Sequence, residues 1–257
     1  MSLHRSIDPL AGEQGYTLIE LVIGMAIGLV VSLAAFGLIE FVTADVSRIT
    51  ERTHVSQLGR TTLENVILKL HSSCVAVGIA PIRATSSATS LRFISENGEG
   101  ASLSSVKLRE LLYSSAEGTL VEKTWPSTGG IPPKYTFNEG AKPATKLLLT
   151  NVSQTVVEKE GKKETVPMFR YYRYYNAEDA HPEYGELDPE AMMVPLSEAT
   201  AKLAAKITIA FTVSPEGKEA ATFNHDRPIA FEDSAVLRLA PSSSSSAITN
   251  LPCAELQ

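Results

Sequence analysis

The 257-residue sequence lacks the short motifs that mark most enzymes. It has no Gly-x-Ser-x-Gly nucleophile turn, no glycine-rich phosphate loop and no His-Glu-x-x-His metal pair. His71 and Cys74 share a predicted helix face, but two ligands fall short of a closed zinc site. The acidic segment 178–190 lacks the regular oxygen spacing of a calcium loop. The sequence therefore predicts no catalytic residue, no metal site and no cofactor.

Positive charge is also scarce, because 23 Lys and Arg face 29 Asp and Glu and give a net charge of −6. A dedicated nucleic-acid-binding protein would show a basic patch or stripe. Residues 169–175 do interleave aromatic rings with arginines, an arrangement that could stack bases. Alternation, however, places Phe169 and Tyr171 on one face of a strand and Arg170 on the other, as in a strand with one face in the core. We predict no dedicated nucleic-acid site.

No proline interrupts the chain between Pro9 and Pro81, and this stretch holds a long apolar run. The nineteen residues from Leu21 to Ile39 carry no charge, which is close to the ~20 that a helix needs to cross a bilayer. A secretory signal peptide has a shorter apolar region of ~7–15 residues, followed by a small-residue cleavage site that is missing here. The segment predicts one membrane-spanning helix.

One carboxylate, that of Glu20, lies just inside the amino end of this run. A charged group in a membrane-spanning segment costs about 2.5–3.5 kcal/mol at the bilayer centre and less near the interface, so it marks a functional site by default. The alternative is a side chain that extends into the lipid headgroups and has no further role.

The residues around Glu20 read Gly15-Tyr-Thr-Leu-Ile-Glu-Leu21. This segment resembles the cleavage and methylation motif of type IV pilins and of the related pseudopilins of secretion and competence systems. In that family a prepilin peptidase cuts after the glycine, the new terminal amine is methylated, and the glutamate five positions into the mature chain serves assembly. The resemblance implies a cut between Gly15 and Tyr16, a methylated amine on Tyr16 and an assembly role for Glu20.

The leader, residues 1–15, departs from the family pattern in its charge. Such leaders are usually basic, in keeping with the positive-inside rule, whereas this one holds Arg5 against Asp8 and Glu13. Tyr16 also stands where phenylalanine is usual. The orientation with the head outside the cytoplasm is therefore implied by the motif and not by the charge.

The sequence predicts one helix from about Thr17 to about Ser73, roughly 85 Å long at ~1.5 Å per residue. Residues 16–40 form its transmembrane and assembly half, where Gly24 and Gly28 make a pair that lets helix backbones approach, although glycine is common in membrane helices anyway. Residues 41–76 form an amphipathic half. Its apolar stripe comprises Val55, Leu58, Leu63, Val66, Ile67, Leu70 and Cys74.

Residues 77–257 have the composition of a strand-rich globular head. We expect residues 155–157 and 165–175 to form a hairpin around a charged turn, and the last strand to be 235–239. Further strands are predicted at residues 89–95, 106–113, 119–125, 146–151 and 206–214. The predicted fold is α+β and pilin-like, with one long amino-terminal helix packed on an antiparallel β-sheet head.

The two cysteines, Cys74 and Cys253, would lie in an exported head, where disulfides persist and an even count favours pairing. The bond would close a loop of about 180 residues and contribute up to about 5 kcal/mol. Five serines, Ser242 to Ser246, form a flexible linker before the tail, which then needs an anchor. The alternative is a small core residue at Cys74 and an unrelated Cys253.

Three functions stay open. The first is a type IV pilus subunit that is processed by a prepilin peptidase and methyltransferase, recruited at an inner-membrane assembly platform and packed against other pilin subunits. The 242 residues after Gly15 favour a minor pilin. The second is a pseudopilin of a secretion or DNA-uptake system, which moves from the cytoplasmic membrane into a periplasmic pseudopilus instead of a surface pilus. The third is an uncleaved, single-pass surface-binding protein.

Overall fold

The computed structural model describes residues 16–73, 80–96, 106–131, 134–159, 161–175, 186–215 and 228–237. The predicted leader, Gly15, Cys74, Cys253 and the serine-rich linker lie outside these ranges, so the cut and the disulfide stay predictions. The chain divides into two compact units, Met1–Ile49 and Thr50–Gln257.

Helix α1 runs from Leu18 to His71, which confirms the prediction of one long helix. Within the second unit its buried face consists of Val55, Gly59, Thr62, Leu63, Val66, Ile67 and Leu70. The prediction that Leu58 faces inward is wrong, because its side chain is exposed. Gly59 takes the inward position instead, since positions 55, 59, 62 and 66 are spaced by three or four residues.

Five strands form the first sheet, which is antiparallel throughout. They are β1 (Ser90–Glu96), β2 (Val106–Ser114), β3 (Thr119–Ile131), β4 (Lys134–Phe137) and β5 (Ala144–Leu149). β2 lies between β1 and β3, while β4 and β5 both pair with β3. β3 extends six residues beyond the predicted end at 125 because β4, which was not predicted, pairs with its second half.

The second sheet contains β6 (Val152–Ser153), β9 (Phe169–Arg173), β10 (Ala204–Val213) and β11 (Ile229–Val236). β10 pairs antiparallel with all three others. A separate hairpin is formed by β7 (Val156–Lys159) and β8 (Lys162–Thr165). A short helix, α2 (Glu198–Leu203), precedes β10, and Ser197 caps its amino end.

Two strand predictions are wrong. Residues 165–175 do not form one strand, because β8 ends at Thr165 and β9 begins at Phe169 on the other side of Pro167. Proline has no N–H to donate to a ladder, which makes it a natural break. The last strand begins at Ile229 and ends at Val236, earlier than predicted. Its first half was not predicted because exposed acidic residues in the middle of the strand interrupt the apolar alternation.

The main core lies between the second half of α1 and the two sheets. A smaller cluster, which includes Trp125, covers the other face of the first sheet. Phe169 and Tyr171 are buried in the main core, as the alternation in 169–175 predicted. The Tyr171 hydroxyl lies 3.1 Å from the carbonyl oxygens of Ser87 and Ser90, and its burial raises the pKa of the phenol.

The arginines of β9 pair with carboxylates. Arg170 lies 2.7 Å from Glu232 on β11, and Arg173 lies 3.7 Å from Asp188. Both arginines therefore have acidic partners within the head. This agrees with the prediction that residues 169–175 form a strand of the head and not a surface that stacks bases.

Candidate functional site

The first turn of α1 is capped by Thr17. The Leu21 N–H donates to the Thr17 carbonyl oxygen at 3.2 Å, and the Glu20 N–H donates to Thr17 Oγ1 at 3.4 Å. The Thr17 hydroxyl in turn donates to Glu20 Oε2 at 3.4 Å. Thr17 thus satisfies one of the backbone donors that a helix start leaves free, and it contacts the carboxylate of Glu20.

Glu20 lies three residues after Thr17, the capping residue of α1. At this position the positive end of the helix dipole stabilises an exposed carboxylate by about 0.3–1 kcal/mol. Among the described residues, Thr17 is the hydrogen-bond partner of this carboxylate and no cation pairs with it. The Thr-x-x-Glu spacing is a recognised helix-start signature. Thr17 is thus a site residue that the sequence reasoning missed, although the signal was present.

The apolar half of α1 exposes its side chains. From Tyr16 to Val42 the large apolar residues are 52–84% exposed. Among the described residues, α1 is the one helix long and apolar enough to cross a membrane. Such a surface is unfavourable in water and needs lipid or other apolar helices around it. This property fits a membrane-anchored precursor.

Gly24 and Gly28 leave bare backbone on this apolar surface. A Cβ added at either position would meet no atom within 4 Å. A second helix could therefore approach closely along this strip. The described structure places no neighbour there, so the packing role of the two glycines stays a prediction.

A second charged cluster joins α1 to the first sheet within the second unit. Glu122 on β3 is buried, and its two carboxylate oxygens accept from Lys69 of α1 at 2.6 Å and from Arg109 of β2 at 2.7 Å. The Arg109 Nε–H donates to the Ser95 hydroxyl on β1 at 2.7 Å. We call Lys69, Arg109 and Glu122 the buried triad, in which Arg109 and Glu122 are buried and the side chain of Lys69 is 27% exposed.

The buried triad keeps its carboxylate ionised. Burial alone would raise the pKa of Glu122, but the hydrogen bonds and charges of Lys69 and Arg109 outweigh this and hold the pKa below its ordinary value. The charge therefore persists at neutral pH and links the helix to the middle of the sheet.

Gly59 brings α1 close to β11. A Cβ at this position would lie 2.5 Å from the Phe231 ring, a distance that real contacts do not allow. The ring also packs against Phe211, with the two centroids 5.5 Å apart. The absence of a side chain at Gly59 is what lets the aromatic ring lie against the helix.

Sequence reasoning did not identify the buried triad or Gly59. Lys69 and Glu122 are 53 residues apart, so no local pattern links them. Glycine carries no apolar signal, so a stripe defined by hydrophobic residues passes over it. As for metals, none of the described residues form a group of three or more His, Cys, Asp or Glu that could hold an ion.

Comparison with known proteins identifies the amino-terminal segment. Residues 10–40 match the family described as the prokaryotic N-terminal methylation motif, and this match spans Gly15, Tyr16, Glu20, Gly24 and Gly28. Searches of curated proteins and of solved structures found no match to the chain. The family evidence is therefore confined to this segment.

Proposed function

We propose that this chain is a subunit of the type IV pilin and pseudopilin family that is cut between Gly15 and Tyr16 and assembled through α1. The methylation motif at residues 10–40 supports this proposal. The motif indicates a structural subunit, and not an enzyme, that interacts with other pilin subunits and a prepilin peptidase. The observation that carries the proposal is this motif at the start of a helix whose amino-terminal half is apolar and exposed.

In the proposed mechanism, processing creates the second charge that assembly needs. Removal of residues 1–15 leaves a cationic, methylated amine on Tyr16, one helical turn from the Glu20 carboxylate. An unpaired charge is costly in an apolar helix bundle. The carboxylate of an incoming subunit therefore pairs with the amine of its neighbour, which neutralises both and fixes one axial register.

We place the subunit in a type IV pilus as a minor pilin. The 242 residues that would remain after the cut favour a low-copy position over an abundant one. The precursor spans the cytoplasmic membrane once with its head outside and is recruited at the inner-membrane assembly platform. A pseudopilin uses the same subunit chemistry, and the location of the filament, at the cell surface or in the periplasm, separates the two.

The test combines terminal analysis with one substitution. Mass spectrometry of the chain from membranes and from sheared filaments should find a methylated Tyr16 as the first residue. Glu20→Ala should be processed yet lost from filaments, while Glu40→Ala, which removes the other carboxylate flanking the apolar run, should still be incorporated. An intact amino terminus at Met1 or Ser2, or full incorporation of Glu20→Ala, would contradict the proposal.

A further inference from the structure

Several strands of the head have an edge that pairs with nothing in the described structure, and β5 and β7 are two of them. β5 pairs with β3 alone, and β7 pairs with β8 alone. All four residues of β7 are exposed, and so are the first four of β5. An open strand edge presents a row of free N–H and C=O groups that can pair with another chain.

Among the described strands of the head, most of the exposed large apolar side chains lie on these same two strands. Leu147 on β5 is 55% exposed, and Val156 and Val157 on β7 are 55% and 40% exposed. On the other described strands of the head, only Val236, at 38%, is a large apolar residue of this kind. Apolar groups beside an open edge are a liability unless another surface covers them.

The hairpin of β7 and β8 also has little support of its own. Its eight strand residues are all exposed, and Gly161 forms its turn in a left-handed conformation with φ of 74°. A two-stranded hairpin is at best marginally stable in water, and a third strand adds a second ladder of hydrogen bonds. β7 is therefore a strand that gains stability from a partner along its open edge.

We propose that β7 of one copy adds antiparallel to the open edge of β5 in a second copy. The register that fits best pairs Lys146 with Glu158, Leu147 with Val157 and Thr145 with Lys159. Strand alternation then puts the apolar pair on one face of the extended sheet and the ion pair on the other. Each cross-strand pair of this kind favours association over a mismatched one.

The register also continues a charge pattern that the head already uses. Lys163 lies opposite Glu158 in its own hairpin, so the extended sheet carries the row Lys, Glu, Lys across three strands. On the first sheet, Glu110 lies between Arg92 and Lys123 in the same way, at 3.9 and 3.8 Å.

Other pairings of these edges fit less well. If β8 took the place of β7 with Glu164 opposite Lys146, Lys163 would face Leu147. If β5 paired with itself around Lys146, two like charges would meet. The complementarity of charge and apolar surface thus selects β7 of a second copy as the occupant.

The contact joins two different patches, so it is open-ended and can repeat along a row of copies. Three residue pairs give a weak contact, but the membrane helices hold neighbouring copies at a high effective concentration. The inference rests on the proposed function in this respect, because assembly through α1 sets the copies side by side. For a subunit present in few copies, the contact forms where those copies lie next to one another in the assembly.

Cysteine cross-linking in the full-length chain tests the contact. One tagged copy carries Leu147→Cys and a differently tagged copy carries Val157→Cys, since cross-strand Cα spacing suits a disulfide. Mild oxidation of membranes should yield a dimer with both tags, joined by a 147–157 peptide. The matched control is Glu164→Cys, which lies opposite Val157 on β8 but on the far edge, and it should give a several-fold lower yield.

Charge exchange gives a second measurement on the same reporter. Adding Lys146→Glu to the Leu147→Cys copy should reduce the dimer several-fold, and adding Glu158→Lys to the Val157→Cys copy should restore it. Equal yields from the Val157 and Glu164 variants would overturn the contact. So would the absence of a 147–157 link while Tyr16 is methylated and filaments assemble, a result that leaves the proposed function intact.

Discussion

The two units of this chain treat apolar residues in opposite ways. In the first unit the described large apolar side chains of α1 are more than half exposed. In the second unit, side chains such as Leu70, Phe93 and Phe211 are almost wholly buried. The second unit therefore holds its own core, whereas the first depends on lipid or on other helices for a favourable environment. The difference separates a part that folds from a part that is completed by association.

In the second unit the largest loss of stability is expected at the buried triad. Glu122→Ala leaves Lys69 and Arg109 without their shared partner and should lower the free energy of unfolding of the head by about 3–5 kcal/mol. The fluorescence of Trp125, the single tryptophan, reports the unfolding in urea. Glu117→Ala, at an exposed turn, is the control and should change little. A small change for Glu122→Ala would show that the head does not depend on the triad.

A charge in the middle of the apolar run tests the other unit. Val30→Arg should cost about 2.5–3.5 kcal/mol on membrane insertion. The fraction of chain that stays in membranes after a carbonate wash measures it. Ser47→Arg, on the same helix beyond the apolar run, should remain in the membrane. If both variants stayed equally, the first unit would not depend on lipid in the way proposed.

A smaller effect is expected where α1 approaches β11. Gly59→Ala gains about 1 kcal/mol of helix propensity but displaces the Phe231 ring, which costs about 1–3 kcal/mol. We expect a net loss of up to about 2 kcal/mol in the stability of the head, measured by urea unfolding. Ser56→Ala, on the exposed face of the same helix, should be neutral or stabilising. A stabilising Gly59→Ala would mean that the ring moves aside freely.

The smallest effect is expected from pH. The pKa of Glu122 is lowered in the folded head, so the stability it adds is present above the ordinary value of 4.5 and is lost as the pH falls through the folded pKa. The stability advantage of the wild type over Glu122→Gln should therefore shrink as the pH drops below this ordinary value. Urea unfolding at neutral and at acidic pH measures the difference. A constant advantage would mean that the triad does not stabilise the ionised form.

The sequence was sufficient where the signals were local. The bounds of α1 follow from its apolar run and the missing prolines, and the hairpin of β2 and β3 follows from alternation around a short turn. The partners of β9 and the contacts of Glu122 were not predictable, because they join residues far apart in the chain. Gly59 was missed because its contribution is an absent side chain.

At the candidate site, the motif predicted which residues matter but not how the first turn is built. Glu20 was identified from its charge in an apolar run, whereas its contact with Thr17 depends on the cap of the helix. The cut at Gly15 and the pairing of Cys74 with Cys253 lie outside the described residues and remain to be measured.

The position of Glu122 within the sheet has a mechanical consequence. Lys69 lies in the last turn of α1, and the strand that it contacts, β3, pairs at Glu122 with β2 along one edge and with β5 along the other. The part of a tension along the helix that the Lys69–Glu122 ion pair carries therefore enters the sheet at an interior strand and is shared by the hydrogen bonds on both sides.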